Sequence, residues 1–415
     1  MRKRKRPRPA PPPPVSDERR PEGAGVEYEV EVERILPGGM GLAHAGGRTV
    51  LVALAATGDR LRVRVESVRG AVAFASIVEI LAPSPVRVAP PCPYFGRCGG
   101  CDFQQLTYEA QLASKVEIIR DCLRRIARIE PPADIHITPA PDPWRYRSRA
   151  GWQFDAHTET LGYYQRGSHR VCDVQECPVV VPALQERLSN LRAEMHAHAL
   201  PPRAHEFQAA AGDEGVTLAP PVNAHDAHEN SLRIGDEHYR FDADCFFQIN
   251  HDLLEPLVRD ATRDAHGNLA LDLYCGVGLF TLPLARRFSS VVGVEGNPSA
   301  SRYARRNLDR AGLANARIET GSVGPWLKHH AAELAPADFV LLDPPRAGAE
   351  PETLEGIVAL QPPRITYVSC DPATLARDLR TLTAHGYRLH SLAAFDMFPQ
   401  THHVETLAQL TLLMP

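Results

Sequence analysis

The sequence has no long run of apolar residues. None of its hydrophobic stretches approaches the roughly 20 residues that a membrane-spanning helix needs, which argues against an integral membrane protein. The basic residues near the start are followed by Pro11–Pro14 and not by an apolar segment, so a secretory signal is not expected. We therefore expect a soluble, cytoplasmic protein.

The chain also lacks an excess of charge of one sign. Its net charge of −4 argues against a protein that is basic over its whole length, as many nucleic-acid binders are. Basic charge is concentrated instead in residues 1–20, where eight arginines and lysines accompany only Asp17 and Glu18. Residues 1–26 are rich in arginine and proline with little to bury, so we expect a disordered tail. That tail is either merely solvated or a loose phosphate-binding arm.

Cysteine is sparse, and the nine present are an odd number spread over 415 residues, which is not typical of a disulfide framework. Three of them, Cys92, Cys98 and Cys101, stand within ten residues in a turn rich in glycine and proline. That density indicates one shared metal site, and either zinc or a [4Fe–4S] cluster needs a fourth thiolate. The candidates for the fourth ligand are Cys122, Cys172 and Cys177.

The apolar pattern predicts a multidomain α/β protein. After the tail, short alternating strands separated by glycine pairs predict a small antiparallel β-barrel. A helix over 105–129 and a β-rich domain follow, in which 196–231 are expected to be loops and edge strands. The last part alternates strands and helices, which predicts a doubly wound, Rossmann-like parallel sheet. The predicted boundaries are 1–26 for the tail, 27–85 for the barrel, 86–245 for the central domain and 246–415 for the C-terminal domain.

The predicted barrel carries Arg60, Arg62 and Arg64 on one face of a strand, since alternate residues of a strand point the same way. Such a stripe is either a solvated face or a surface for an RNA backbone.

A glycine-rich turn near residue 276 indicates a cofactor site. Gly276 and Gly278 follow a buried strand and precede a helix, but Thr281 replaces the third glycine of the dinucleotide motif. Glu295, at the end of the next predicted strand, stands where a carboxylate can hold ribose hydroxyls. Adenosylmethionine fits these features better than a dinucleotide; a tight turn plus a surface glutamate is the alternative.

Two polar segments near the end of the chain suggest the chemistry. Cys370 and Asp343 each follow an apolar strand, so both should lie at the carboxyl edge of the sheet, where ligands bind. Glu405, 35 residues after Cys370, is a carboxylate beside two histidines. A thiol nucleophile and a carboxylate base are what methylation of a pyrimidine at C5 requires. Glu405 should be partly buried, which raises its pKa, and Cys370 needs a nearby cation or donor to ionise.

Several segments taken together resemble one protein family, the bacterial 5-methyluridine RNA methyltransferases, and in particular its iron–sulfur branch that acts on 23S rRNA. The resemblance runs from about residue 27 to the end and includes the barrel, which looks like a TRAM domain. The segments that carry it are Phe246–Asn250, Leu273–Gly276, Val294–Gly296, Leu342–Arg346, Ser369–Pro372 and Phe398–Glu405.

The resemblance implies a role for each of these motifs. Cys370 is implied to be the nucleophile and Glu405 the base, with RNA, most of all 23S rRNA, as the partner. It implies neither binding to a membrane nor an obligate protein partner. It also implies that Trp144–Arg149 contacts RNA. S-adenosyl-L-methionine is the implied methyl donor, held by Gln248, Tyr274, Glu295 and Asp343. A [4Fe–4S] cluster is implied over zinc, with the ligands Cys92, Cys98, Cys101 and, from its Glu-Cys-Pro context, Cys177 rather than Cys172.

Other functions remain open at this point. A tRNA uridine-C5 methyltransferase and an RNA cytosine-C5 methyltransferase would use the same kind of nucleophile. A radical adenosylmethionine enzyme would carry a CxxxCxxC motif, whereas five residues separate Cys92 from Cys98 here. A non-catalytic iron–sulfur RNA-binding protein would not depend on Cys370.

Overall fold

The computed structural model describes residues 24–223, 226–330, 333–334 and 336–413. Residues 1–23 of the predicted disordered tail lie outside these ranges. Within the described part of the chain, no helix is long and apolar enough to cross a membrane.

The first sheet is built from residues that alternate between buried and exposed. Leu61, Val63 and Val65 point into its core, while the arginines between them point outward. Its six strands are β1 (Glu27–Glu31), β2 (Arg34–Ile35), β3 (Gly41–Ala45), β4 (Arg48–Val52), β5 (Arg60–Arg69) and β6 (Val72–Ala82). Their order in the sheet is β1-β5-β6-β4-β3-β2. Strand β4 pairs with β6 in parallel, so the predicted wholly antiparallel arrangement is wrong at that pair.

The middle of the chain forms a five-stranded antiparallel sheet covered by a helix. Helix α2 (Pro182–His196) buries Leu184, Leu188 and Leu191 against Trp152 and Phe207 of the sheet. The strand order is β10-β9-β8-β11-β12, and β13 and β14 form a separate hairpin. The strands are β8 (Arg149–Asp155), β9 (Thr160–Tyr164), β10 (Val171–Asp173), β11 (Glu206–Gly212), β12 (Gly215–Ala219), β13 (Asn230–Ile234) and β14 (Glu237–Phe241).

The predicted character of residues 196–231 is therefore partly wrong. Strand β11 lies inside the sheet, hydrogen-bonded on both sides, and is not an edge strand. Its small residues Ala209–Ala211 are buried, which allows close packing at this point of the sheet. An alanine-rich run carries little β-propensity, so only the packing reveals the strand.

The C-terminal part forms an eight-stranded sheet of order β17-β16-β15-β18-β19-β21-β20-β7. Its strands from β17 to β19 are parallel, whereas β21 runs antiparallel to both of its neighbours. The strands are β7 (His136–Thr138), β15 (Gly267–Leu273), β16 (Phe288–Glu295), β17 (Ala316–Thr320), β18 (Phe339–Leu342), β19 (Arg364–Ser369), β20 (Tyr387–Phe395) and β21 (Glu405–Leu412).

Helices cover both faces of this sheet, as a doubly wound fold requires. One apolar layer contains Ala270 and Val291, and the other contains the next residues, Leu271 and Val292, because successive side chains of a strand point to opposite faces. Helices α3, α4 and α5 pack on the first face and α1, α6, α7 and α8 on the second. The helices are α1 (Tyr108–Cys122), α3 (Leu254–Ala261), α4 (Thr281–Ala285), α5 (Pro298–Ala311), α6 (Val323–His330), α7 (Pro351–Leu360) and α8 (Pro372–Ala384).

Two features of the large sheet differ from the prediction. The sheet is mixed and not parallel throughout, because β21 runs antiparallel to both β19 and β20. Strand β7 and helix α1, which precede residue 246 by more than 100 positions, join the sheet and its second face. The predicted helix over 105–129 is present as α1 followed by a short π-helical segment, Leu123–Ala127.

Candidate active site

A cavity of about 650 Å³ lies at the carboxyl edge of the large sheet. Parallel strands end at the same edge, so the segments that follow β15, β16, β18 and β19 come together there. All six residues predicted for the cofactor and the chemistry line this one cavity: Gln248, Tyr274, Glu295, Asp343, Cys370 and Glu405.

The glycine-rich turn forms one wall of the cavity. Gly276 has a φ of +57° and Gly278 a φ of +94°, a region that glycine adopts without strain. A side chain at Gly278 would also lie 3.0 Å from Leu282. Glu295 fixes the turn, because its Oε2 accepts the Gly276 N–H at 2.9 Å. The turn and this carboxylate thus lie together at the cavity.

Asp343 and Gln248 meet on the opposite wall. The Gln248 amide donates to Asp343 Oδ2 at 3.2 Å, and the Asp343 N–H donates to the Leu273 carbonyl at 3.2 Å. Desolvation raises the pKa of Asp343 to about 7. A ligand with a positive charge in the cavity would favour the ionised carboxylate, so this wall suits a cation.

Cys370 lies between the end of β19 and the start of α8. The Asp371 carboxylate caps that helix by accepting the N–H groups of Ala373 and Thr374, both at 2.9 Å, which fixes the turn that carries the cysteine. Burial raises the pKa of the Cys370 thiol to about 12, and Glu405 contributes through its negative charge. The thiol is thus protonated in the free protein near neutral pH.

Glu405 is the first residue of β21 and lies directly beside Cys370. Ser369 of β19 pairs with Thr406 of β21, so the next register position places Cys370 opposite Glu405. The Glu405 side chain is 1% exposed, and its Oε1 has no hydrogen-bond partner within the described residues. Burial raises the pKa of Glu405 well above its ordinary value, and the nearby Asp343 raises it further. A residue that lines the cavity thus carries a buried, unpartnered oxygen and a raised pKa, as a general base requires.

Arg346 is a site residue to which sequence reasoning assigned no role. It lines the cavity, and its charge lowers the pKa of both Cys370 and Glu405 against the stronger effect of burial. It is the kind of cation that the sequence required beside the nucleophile. The sequence feature that could have identified Arg346 is its place in the Asp-Pro-Pro-Arg segment after a core strand. Phe246 was also given no role, and its ring is 65% exposed at the same cavity.

A second cavity, of about 230 Å³, is lined by the predicted cluster ligands Cys92, Cys98, Cys101 and Cys177. The other two candidates do not line this cavity: Cys122 is buried at the end of α1, and Cys172 is buried in strand β10, near enough to Cys98 for its charge to raise the pKa of that thiol. Among the described residues, no three His, Cys, Asp or Glu side chains stand close enough together to hold a single metal ion. Burial raises the pKa of Cys98 to about 11 and that of Cys101 to about 12.

The two cavities adjoin each other. Arg147, Arg346 and Phe398 line both of them, so these side chains form the wall between the cysteines and the catalytic pair. The charge of Arg147 lowers the pKa of Cys101 and of Cys177, which makes it a cation that faces the thiols.

The two predicted basic surfaces are less accessible than the sequence suggested. On the first sheet, Arg62 pairs with Glu29 at 3.2 Å and also with Glu79, and Arg64 pairs with Glu27 at 2.7 Å. In Trp144–Arg149 only Arg145 among the arginines is exposed. Acidic neighbours on adjacent strands thus pair with Arg62 and Arg64 of the stripe, which the pattern of a single strand could not reveal.

Comparisons with known proteins agree with this geometry. Residues 222–324 and 327–412 match the family described as tRNA (Uracil-5-)-methyltransferase. The chain is 35% identical over 428 residues to a 23S rRNA (uracil(1939)-C(5))-methyltransferase of Alkalilimnicola ehrlichii, which covers 92% of this chain and 96% of that protein. It is 33% identical over 444 residues to an uncharacterized RNA methyltransferase of Thermosynechococcus vestitus, covering 93% of this chain and 98% of the relative.

One solved structure is similar over almost the whole fold. It is the Pyrococcus abyssi tRNA (uracil-54, C5)-methyltransferase in complex with S-adenosyl-L-homocysteine, with a TM-score of 0.72 and 27% sequence identity. The match covers 92% of this chain and 100% of that one.

Proposed function

The chain belongs to the family of RNA (uracil-C5)-methyltransferases, and on that basis we propose that it methylates C5 of a uridine in 23S rRNA with S-adenosyl-L-methionine. The observation that carries the proposal is the meeting of Cys370 and Glu405 in one cavity, at the ends of β19 and β21 where Ser369 pairs with Thr406.

The residues present fit the methyl donor. Its adenosine and sulfonium portions need a deep cavity with carboxylates, and Glu295 and Asp343 supply two on opposite walls. Glu295 would hold ribose hydroxyls, and Asp343, with Gln248 donating to it, would face the positive charge. Tyr274 completes the wall beside the glycine turn. When bound, this cosubstrate supplies an electrophilic methyl group.

The chemistry then divides between Cys370 and Glu405. Once the thiol has released its proton to solvent, the Cys370 sulfur bonds to C6 of the uracil, and the electrons of the 5,6 double bond move onto the O4 enolate. C5 can then form its bond to the methyl group while the bond from that group to the sulfonium sulfur breaks, which would leave S-adenosyl-L-homocysteine. Glu405 takes the C5 proton, the double bond re-forms, and the bond between sulfur and C6 breaks to return the thiolate. Arg346 stabilises both anionic side chains during these steps.

The target base must leave its stack to reach Cys370. The exposed ring of Phe246 at the cavity is positioned to contact a base that enters. The choice of 23S rRNA over tRNA is supported by the curated relative of Alkalilimnicola ehrlichii, which is named for 23S rRNA and matches nearly end to end. The structural relative named for tRNA is less similar in sequence.

We propose that the second cavity holds a [4Fe–4S] cluster. Its four thiols are the donor set that such a cluster uses. The ligands of a four-iron cluster bind different iron atoms, so they stand farther apart than the ligands of one ion. Methyl transfer needs no oxidant or reductant, and the cluster in this proposal joins the Cys92–Cys101 turn to the segment after β10. The first sheet, with its short strands, is proposed to be a TRAM domain that contacts RNA.

A trapping experiment tests the function. The protein is incubated with S-adenosyl-L-methionine and 5-fluorouridine-substituted 23S rRNA or tRNA. Fluorine cannot leave C5 as a proton does, so the thioether between Cys370 and C6 should persist on a denaturing gel. We expect a shifted band with 23S rRNA that is absent in Cys370→Ala. A band with tRNA only would move the substrate class to tRNA, and no band with either RNA would overturn the proposal.

A further inference from the structure

The loop Phe398–His402, which leads into the proposed base Glu405, is held almost entirely by one earlier part of the chain. The Phe398 carbonyl accepts from Lys115 at 3.0 Å, and the Pro399 carbonyl accepts from the Tyr146 hydroxyl at 2.9 Å. The carbonyl of Gln400 accepts from the N–H groups of two further residues, at 3.1 and 3.0 Å, the donors being Asp102 and Phe103.

Gln111 of α1 fixes the middle of the loop. Its Oε1 accepts the Gln400 N–H at 2.9 Å, and its Nε2 donates to Gln400 Oε1 at 3.0 Å. Gln400 has a φ of +66°, a left-handed conformation that costs a non-glycine residue free energy and that persists only where its surroundings impose it. Both glutamine side chains are buried, with exposed fractions of 1% and 2%. The contact thus stabilises a strained backbone next to the catalytic cavity.

Asp102 fixes the end of the loop, three residues before Glu405. Its Oδ1 accepts the His402 N–H at 2.8 Å, and its Oδ2 lies 2.5 Å from His402 Nδ1. One carboxylate therefore restrains the backbone and the ring of the same residue. The His402 ring in turn packs on His403, with ring centroids 4.1 Å apart.

We propose that Asp102 and Gln111 are positioning residues for the base. They hold Phe398–His402 in the one conformation that brings Glu405 beside Cys370 in the cavity. The inference rests on the proposed function, because it assigns these residues to the step in which the C5 proton is removed. Neither side chain lines the catalytic cavity, so each acts through the loop.

The test uses the step that Glu405 performs. With ordinary uridine RNA and S-adenosyl-L-methionine, Glu405→Gln should accumulate a methylated covalent complex, because Cys370 still adds to C6 but the C5 proton stays. We expect Asp102→Ala and Gln111→Leu to accumulate the same complex on a denaturing gel. Their kcat should fall roughly 10- to 100-fold, the range that misplacement of a catalytic group can cause. KM for the RNA should fall with it, because the covalent complex accumulates before the slow step.

Two further variants serve as controls. Asp102→Asn keeps an acceptor for the His402 N–H and should recover part of the lost kcat. Asp155→Ala removes a carboxylate that accepts the His157 N–H at 2.9 Å in the turn after β8, far along the chain from the loop, and should leave kcat unchanged.

Two results would overturn the inference. One is wild-type turnover in Asp102→Ala and Gln111→Leu. The other is loss of the covalent complex in variants whose circular dichroism shows a native fold, since the loop would then act before methyl transfer. Failure of the proposed function would look different, because the wild-type protein itself would form neither the complex nor methylated RNA.

Discussion

At the scale of single residues, the catalytic pair is controlled by opposing electrostatic effects. Burial disfavours both the Cys370 thiolate and the Glu405 carboxylate, and the negative charge of Glu405 further disfavours the thiolate. Arg346 is the cation that lowers the pKa of both groups. Activity in the proposed mechanism requires both groups to be ionised, so it should rise with pH until they are.

Replacing Arg346 should change the pH range over which activity rises. Without the cation the pKa values of Cys370 and Glu405 increase further, so the rising limb of kcat/KM for methyl transfer should shift to higher pH in Arg346→Met. A shift of roughly one pH unit is the effect expected of one nearby opposite charge. Arg346→Lys keeps the charge and should shift the limb less. An unchanged profile in Arg346→Met would show that the arginine does not control ionisation of the pair.

Some contacts between single residues are not predicted by any local sequence pattern. Cys370 and Asp343 were placed correctly because each directly follows an apolar strand. Lys115 lies in the predicted helix over 105–129, and it is fully buried and paired with the equally buried Asp396. These two residues are 281 positions apart, and no local pattern connects them.

At the scale of elements, the cysteine-rich turn and the segment after β10 meet at one cavity. The turn supplies Cys92, Cys98 and Cys101, and the segment supplies Cys177. Spacing alone left three candidates for the fourth ligand, because a ligand from a distant segment obeys no local spacing rule. Cys172 is close in sequence to Cys177, but it is buried within strand β10 at 1% exposure.

This arrangement predicts different consequences for two neighbouring cysteines. Cys177→Ser should lose most of the bound iron and acid-labile sulfide, because a serine oxygen replaces one of four thiolates. The matched variant Cys172→Ser should retain both. The measurement is the iron and sulfide content of protein purified without oxygen. If instead Cys172→Ser loses iron and Cys177→Ser does not, the assignment of the fourth ligand is wrong.

At the scale of the whole molecule, the first sheet touches the loop that leads to Glu405. Gly39, in the turn between β2 and β3, lies against the Asp102–His402 pair, and a side chain there would stand 3.1 Å from His402 Cβ and 3.2 Å from Asp102 Oδ2. Segments from the start, middle and end of the chain therefore converge on the catalytic region.

Neighbouring glycines allow this contact to be tested. Gly38 and Gly39 have similar positive φ values, +87° and +76°, so alanine strains the backbone about equally at either site. A methyl group at Gly38 meets nothing within 4 Å, whereas one at Gly39 stands closer to the pair than an ordinary van der Waals contact, so the pair must give by a few tenths of an ångström. We expect Gly39→Ala to lower kcat for RNA methylation roughly tenfold and Gly38→Ala by about twofold or less. Equal activities would mean that the contact does not influence the loop.

The sequence by itself determined the local features. Apolar runs followed by Asp343 and Cys370 placed both residues at strand ends, and the glycine turn near residue 276 required backbone conformations that few residues adopt. The density of cysteines between 92 and 101 indicated a shared site. Each of these is encoded within a few consecutive residues, where steric and hydrophobic preferences act directly.

Only the tertiary structure decided which distant segments meet. Strand β21 runs antiparallel in a sheet whose other core strands are parallel, and this reversal sets Glu405 opposite Cys370. The ion pairs of Arg62 and Arg64 in the arginine stripe and the contacts of Gln111 with the loop before Glu405 likewise depend on strand pairing and helix packing. Such contacts arise from burial over the whole fold, and a sequence read along one dimension does not contain their geometry.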